Sequence, residues 1–175
     1  FFRVPLLKPD AWLSAILPYF SFVFKDSFLK ITLIVFFMGL WGVYQQWEVF
    51  HNTLIDTFSI NGFIRYGLTL IGIKFIHELG HALVAKRHGC RVPTMGLAFL
   101  VMWPVAYTDV TESWKLNSHK KRLHIAGAGI ATELLLAAWA LFCWTIFPEN
   151  DLRSICFFLA TTSITASLLV NASPF

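Results

Sequence analysis

Residues 63–85 read FIRYGLTLIGIKFIHELGHALVA, and this stretch decides how the rest of the chain is interpreted. A helix needs about 20 mostly apolar residues to cross the hydrocarbon core of a bilayer, and this stretch is long and apolar enough. It nevertheless contains the pattern H-E-x-x-H at His77, Glu78 and His81. Ionisable side chains are costly at membrane depth, so a spanning helix that keeps them indicates a functional site.

The composition of the whole chain also indicates a membrane protein. Of its 175 residues, 57% are apolar and 14% are charged, and the mean hydropathy is +0.63. A soluble domain carries about 45–50% apolar and about 25% charged residues. These values exclude a disordered chain and argue against an ordinary cytosolic domain. The net charge of +4 is better explained by the orientation of membrane loops than by nucleic-acid binding.

Apolar stretches long enough to span a bilayer predict an all-α membrane protein, a polytopic helical bundle of about four spans. These stretches lie near residues 28–47, 63–85, 123–147 and 154–175. A further apolar run, 92–108, contains Pro93, Gly96 and Pro104, which argues against a straight helix. We expect a small β-hairpin or a re-entrant segment there.

Lysine and arginine residues are distributed unevenly among the segments outside the spans. From the N-terminus onward these segments contain 4, 1, 7 and 1 of them. The positive-inside rule then places the N-terminal segment, residues 86–122 and the C-terminal end in the cytoplasm, with the site toward the cytoplasmic side. We divide the chain into an N-terminal amphipathic, interfacial segment, 1–27, and a membrane-embedded domain, 28–175. The beginning of the chain could instead be a loop packed on the helices.

The histidine pair can bind one metal ion. Positions i and i+4 share a face of a helix, so the imidazoles of His77 and His81 can reach the same ion. Zinc suits nitrogen ligands, and a catalytic zinc needs a third protein ligand and an open position. The adjacent Glu78 can act as general base, taking a proton from the attacking water and passing it to the leaving amine. In a soluble helix the same pattern could be a pair of surface histidines, but the membrane context favours a metal site.

Two further ionisable side chains lie at predicted membrane depth. Lys74 shares a side of its helix with His77 and Glu78, so it could line the same cavity, pair with Glu78 or extend toward the surface. Glu133 is the only acidic residue of the third span and could face the site, bind substrate or pair with Lys74. It could also pack helices together as a protonated or hydrogen-bonded carboxyl group.

From about residue 63 to residue 175 the chain resembles the site-2 protease family of intramembrane zinc metalloproteases. The resemblance rests on His77–His81 in an apolar helix, on the Gly- and Pro-containing hairpin at 91–110, and on Asn171-Ala172-Ser173-Pro174-Phe175. That end is similar to the stretch before the family's Asp-Gly motif, whose aspartate is the third zinc ligand. The resemblance therefore implies Zn²⁺ as cofactor, a third ligand beyond Phe175, and Asn171 as a substrate or cavity residue.

Further resemblance points to a bacterial branch of large multi-span members, based on Arg3-Val4-Pro5-Leu6 and Val92-Pro93-Thr94-Met95-Gly96. That branch implies a location in the bacterial inner membrane and a secretion adaptor protein as a partner. The chain departs from the family where Gly-Pro-x-x-Asn is expected, because Gly129-Ile130-Ala131-Thr132-Glu133 has Ile for Pro and Glu for Asn. In the family the Asn of this pattern has a role in substrate binding, and Glu133 stands in its place here.

Together these observations predict a zinc-dependent intramembrane endopeptidase that hydrolyses peptide bonds of membrane-associated or exported polypeptides. A regular helix protects its peptide bonds, so we expect a membrane-spanning substrate to unwind locally and add a strand to the hairpin at 92–110. Two other classes stay open. The chain could be a non-proteolytic zinc-binding component of a peptide export or secretion system, or a metal transporter, although a transporter would need more intramembrane ligands.

Overall fold

The computed structural model describes residues 2–100 and 103–167, which form helices interrupted by a small sheet. The elements are β1 (Phe2–Leu7), α1 (Asp10–Ile16), α2 (Asp26–Gln45), α3 (Trp47–Asp56), α4 (Ile60–Arg87), β2 (Met95–Leu100), β3 (Trp103–Thr108), α5 (His119–Ile146) and α6 (Asp151–Thr165). Short 3₁₀ turns at Ser21–Phe24 and Thr111–Lys115 precede α2 and α5. The predicted fold class, a helical membrane protein with a small β insert, is confirmed.

Three of the described helices, α2, α4 and α5, are long and apolar enough to cross a membrane. They correspond to the first three predicted spans. Along α2 the large apolar side chains Leu33, Ile34 and Trp41 are more than half exposed, as lipid contact requires. The fourth predicted span, 154–175, overlaps α6 but ends outside the described residues, so it stays a prediction.

The strands form one antiparallel sheet in the order β1-β2-β3. Within it β2 and β3 make the hairpin that the glycine and proline content predicted, with Met95 opposite Thr108 and Phe99 opposite Pro104. Proline cannot donate a hydrogen bond to a neighbouring strand, and Pro104 is tolerated because β3 lies at an edge of the sheet. The hairpin form of the insert is therefore confirmed.

Strand β1 comes from the segment that we expected to be interfacial or packed as a loop. It pairs with β2 in antiparallel register, with Val4 opposite Leu97. The approach is close enough to need glycine, since a β-carbon at Gly96 would overlap the Val4 carbonyl oxygen. Strand β1 thus covers one edge of β2, while the interfacial location of residues 1–27 stays a prediction.

Residues 1–24 and 74–132 form one compact unit, which contains the sheet, α1, the second half of α4 and the first half of α5. Its apolar core joins all of these elements and consists of Leu13, Ala82, Leu83, Ala85, Cys90, Val92, Met95 and Ile125. Leu13 of α1 is fully buried in this core. The first residues of the chain are therefore part of a packed structure around the end of α4.

Asp10 connects α1 to the end of α4. Its Oδ1 atom accepts hydrogen bonds from Lys86 Nζ at 2.7 Å and from the backbone N–H of Val92 at 2.9 Å. The bond from Lys86, followed by that from Val92, lowers the pKa of Asp10 below its usual value because both stabilise the charged carboxylate. This arrangement fixes the position of the chain between α4 and β2.

Residues 25–73 and 133–175 form a second unit, described as far as Ser167. Its core is aromatic: Trp144 of α5 is buried, and Phe50 of α3 packs edge-on against it with ring centroids 5.3 Å apart. Small residues such as Gly39 bring α2 close to α5, as is common between membrane helices. This unit supplies most of the apolar length of the predicted spans.

Candidate active site

Helix α4 places the two histidines of the H-E-x-x-H pattern side by side. Their Nε2 atoms are 3.1 Å apart, and the ring centroids are 4.8 Å apart. This geometry follows from the i,i+4 spacing on a regular helix. The structure therefore brings His77 and His81 together, as the sequence predicted, with one nitrogen of each ring directed toward the other ring.

The orientation of the His81 ring is fixed by the backbone of α5. Its Nδ1 atom lies 2.7 Å from the carbonyl oxygen of Ile125. A carbonyl oxygen can only accept a hydrogen bond, so Nδ1 is the donor, and the neutral tautomer with this donor has its lone pair on Nε2. A second hydrogen bond of this kind holds the ring of many metal-binding histidines and selects the nitrogen that faces the ion.

Glu78 lies on the same turn of α4 and is tied to the sheet through its backbone. The hydroxyl of Thr108, at the end of β3, donates a hydrogen bond to the Glu78 carbonyl oxygen at 3.0 Å. Glu78 lines a cavity together with His81. The end of β3 is thereby held beside the turn that carries the carboxylate.

Two glycines allow α4 and α5 to approach each other at the histidine pair. A β-carbon at Gly129 would overlap the ring of His77, and one at Gly80 would overlap the side-chain oxygen of Thr132. Thr132 is itself held to α5 by a bond from its hydroxyl to the Ala128 carbonyl oxygen at 2.8 Å. Small residues at this crossing make room for the imidazole at membrane depth.

The cavity beside Glu78 and His81 has a volume of about 560 Å³, which is within the range of ligand-binding sites. Its walls come from α4, from β3, from the 3₁₀ turn after β3 and from the first turns of α5. It is mostly apolar, and Glu78 is its only carboxylate within the described residues. A cavity of this kind can hold a peptide segment next to the histidine pair.

The donor set fits part of a zinc site. Imidazole nitrogens suit zinc, and the two Nε2 atoms converge closely enough to share an ion after a small change in side-chain torsions. In the ranges 2–100 and 103–167 no group of three or more His, Cys, Asp or Glu side chains is placed to hold a metal. The third ligand that the family resemblance implies was expected beyond Phe175, outside the described residues.

The remaining candidates differ in what the structure places around them. Lys74 is half-buried on α4, one turn before His77. Glu133 is completely buried in the second unit, where its Oε2 atom accepts a hydrogen bond from the Ser167 hydroxyl at 2.6 Å. That bond agrees with the interpretation of Glu133 as a hydrogen-bonded carboxyl group that packs helices together. The role of Glu133 in substrate binding stays a prediction. Asn171 lies outside the described residues.

Some residues around the site were not predicted from the sequence as parts of it. The carbonyl of Ile125 has no sequence signal, because every residue carries one. Thr108 could have been noticed as the polar residue that ends an apolar strand. Arg122 and Trp114 line the cavity, although the sequence placed Arg122 only among the residues that set orientation.

Paired imidazoles and a carboxylate in a helix that is long and apolar enough to cross a membrane, beside a peptide-sized cavity, form a candidate peptidase site. Residues 66–172, more than half of the chain, match Peptidase family M50. The chain belongs to this family, and the resemblance to the site-2 protease family is confirmed. No curated protein and no solved structure was found to match the chain.

Proposed function

We propose that the chain is the catalytic part of a zinc-dependent endopeptidase that hydrolyses peptide bonds in or next to the membrane. The observation that carries the proposal is the convergence of His77 Nε2 and His81 Nε2, 3.1 Å apart, beside a cavity lined by Glu78. Membership of Peptidase family M50 supports a proteolytic activity. The zinc ion and the nature of the substrate are parts of the proposal.

In this mechanism His77 and His81 hold the ion, and the third ligand comes from beyond Phe175. When bound, Zn²⁺ supplies a Lewis acid that makes water a nucleophile near neutral pH. The Glu78 carboxylate takes a proton from the attacking water and delivers it to the nitrogen of the leaving amine. The Ile125 carbonyl keeps the His81 proton on Nδ1, so that Nε2 stays available as a ligand.

The substrate is proposed to bind as an extended strand beside β3. The sheet order leaves β3 at an edge, because β1 covers the other side of β2. Residues of β3 also line the cavity next to Glu78. An unwound segment of a membrane-spanning or membrane-associated polypeptide can pair with this edge and place a peptide bond at the site.

The site is proposed to open toward the cytoplasm of a bacterial cell whose inner membrane holds the chain. His81 is five residues before Lys86, which is about 7.5 Å along a helix, and α4 ends at Arg87. The cavity also reaches the first turns of α5, where Lys120 and Lys121 follow His119. Basic residues at these helix ends support a cytoplasmic orientation. A secretion adaptor as partner is carried only by the resemblance to the bacterial multi-span branch.

The test is a comparison of the full-length protein with its Glu78→Gln and His81→Ala variants. We expect Glu78→Gln to retain zinc and lose cleavage of a membrane-spanning substrate, since glutamine cannot accept the proton. His81→Ala should lose both zinc and cleavage. Zinc is measured by elemental analysis of the purified protein and cleavage by gel mobility of the substrate.

Full cleavage by Glu78→Gln would overturn the proposal. If the unaltered protein binds zinc and cleaves no polypeptide, the alternative gains support, namely a non-proteolytic zinc-binding component of an export system. The present geometry favours the enzyme, because a carboxylate that lines the cavity has no role as a ligand in a purely structural site.

A further inference from the structure

The wall of the cavity formed by α5 carries a positive charge. Arg122 lines the cavity that Glu78 and His81 also line, together with His119 and Trp114. Its Nη2 atom donates a hydrogen bond to His119 Nδ1 at 3.0 Å, and its guanidinium carbon lies 5.7 Å from the centroid of the Trp114 ring. Two neighbouring side chains therefore hold the guanidinium in place at the cavity.

These two neighbours leave the charge of Arg122 uncompensated. A guanidinium only donates hydrogen bonds, so His119 Nδ1 accepts this one, and the histidine brings no negative charge to Arg122. Trp114 contributes a cation–π contact without charge. Within the described residues no carboxylate forms an ion pair with Arg122.

Nearby acidic side chains are already engaged elsewhere. Glu112 accepts hydrogen bonds from the Arg91 backbone N–H at 2.8 Å and from Lys115 Nζ at 3.0 Å. Asp109 accepts from the backbone N–H and the hydroxyl of Thr111, at 3.0 and 2.6 Å. Asp109 and Glu112 are thus engaged in local structure, and the carboxylate of the cavity itself, Glu78, is the proposed general base.

The surroundings of this wall are basic. The pKa of His88, which lies just after α4, is lowered mainly by burial and then by the charges of Lys121, His124 and Arg87. Lys120 and Lys121 are exposed, as expected for residues that face water or lipid headgroups, whereas Arg122 is half-buried in the cavity wall. Arg122 therefore differs from its neighbours in being directed to the site.

We propose that Arg122 binds an aspartate or glutamate side chain of the polypeptide substrate. This side chain lies on the side of the scissile bond that is nearer to the end of α4 and the beginning of α5, where the basic residues are. The proposal rests on the proposed function and adds a substrate preference to it. Arg122 is three residues before Ile125, the residue that contacts His81, which is about 4.5 Å along α5. An extended strand advances about 3.3 Å per residue, so this separation corresponds to between one and two residues, and the three positions nearest the scissile bond are the ones to test.

The experiment measures binding separately from cleavage. The full-length Glu78→Gln protein is placed in nanodiscs of zwitterionic lipid and titrated with fluorescent membrane-spanning peptides whose C-termini are amidated. The peptides differ only in carrying Glu, Gln or Lys at one of the three positions on the proposed side. We expect the Glu peptide to bind about tenfold more tightly than the Gln peptide at one of these positions, because a charged partner strengthens the hydrogen bond.

Variants of the protein then assign the preference to one side chain. Arg122→Gln should remove the difference between the Glu and Gln peptides, and Arg122→Glu should favour the Lys peptide. Lys121→Gln is the matched control, with the same change in net charge, and should keep the preference. Arg122→Lys keeps the charge and should restore part of the preference, which shows that altered folding is not the cause.

Equal binding of the Glu and Gln peptides to the Glu78→Gln protein would overturn the proposal. So would an equal loss in Arg122→Gln and Lys121→Gln, which would assign the effect to the general surface charge or to anionic lipid. The unaltered protein separates the two proposals. Cleavage without a preference leaves the endopeptidase and removes the role of Arg122, whereas a preference without cleavage leaves the binding site and removes the endopeptidase.

Discussion

Gly129 packs against the imidazole of His77 so closely that a β-carbon at position 129 would overlap the ring. Gly127, two residues earlier on α5, has open space where its β-carbon would lie. The same substitution at these two positions therefore separates an effect on the histidine from the general effect of replacing a helical glycine.

We expect Gly129→Ala to weaken zinc binding and cleavage by about 10- to 100-fold, because the His77 ring must move away from the position it shares with His81. Gly127→Ala should leave both unchanged and raise helix stability by up to about 1 kcal/mol. Zinc retention is measured during dialysis against increasing chelator, and cleavage is measured on the same preparations. Equal losses in both variants would contradict a role of Gly129 in positioning His77.

The hydrogen bond from Thr108 to the Glu78 carbonyl predicts a smaller effect. Thr108→Val keeps the shape and the strand preference but removes the donor, which costs about 1 kcal/mol. We expect about a fivefold lower kcat/KM with zinc content unchanged, because β3 is held less firmly beside Glu78. Thr108→Ser retains the hydroxyl and should keep most of the activity. A Ser variant as impaired as the Val variant would show that the methyl group, and not the bond, matters.

The parts of this fold that depend on local composition could be predicted from the sequence. The helix that carries Glu78 was expected at residues 63–85 and extends over Ile60–Arg87. Its apolar length and the i,i+4 spacing of the histidines are both local properties. The hairpin followed from Pro and Gly in an apolar run. These features place the candidate site in the fold before any tertiary contact is known.

The parts that depend on distant pairing could not be predicted. Strand β1 pairs with β2 across more than 80 residues of sequence, and Pro5 within it argues against a strand when the sequence is considered alone. Helix α3, Trp47–Asp56, lies between the first two predicted spans, where the sequence predicted no helix. The carbonyl that orients His81 is a backbone atom, so only the packing of α5 on α4 identifies Ile125.

The contact of Asp10 with Lys86 and Val92 predicts a dependence of stability on pH. Because these bonds lower the pKa of Asp10 in the folded protein, their stabilisation is present above the unfolded pKa of about 3.9 and is lost as the pH falls through the lower folded value. Asp10→Asn should reduce stability at pH 7 by about 1–2 kcal/mol, allowing for partial exposure, and the difference should shrink toward pH 3. The measurement is thermal unfolding in detergent across this range. Asp56→Asn, the same substitution at an exposed position at the end of α3, serves as the control for the loss of one carboxylate.

The bond between Ser167 and Glu133 predicts how the buried carboxyl group can be replaced. Glu133→Gln retains an acceptor for the Ser167 hydroxyl and should fold with nearly unchanged thermal stability. Glu133→Leu leaves the buried hydroxyl without this acceptor, which costs about 1–3 kcal/mol, and the double variant with Ser167→Ala should recover part of that loss. Cleavage by Glu133→Gln distinguishes the two roles that the sequence left open. Normal kcat/KM in this stable variant would assign Glu133 to helix packing, whereas a large loss with normal unfolding would assign it to substrate binding.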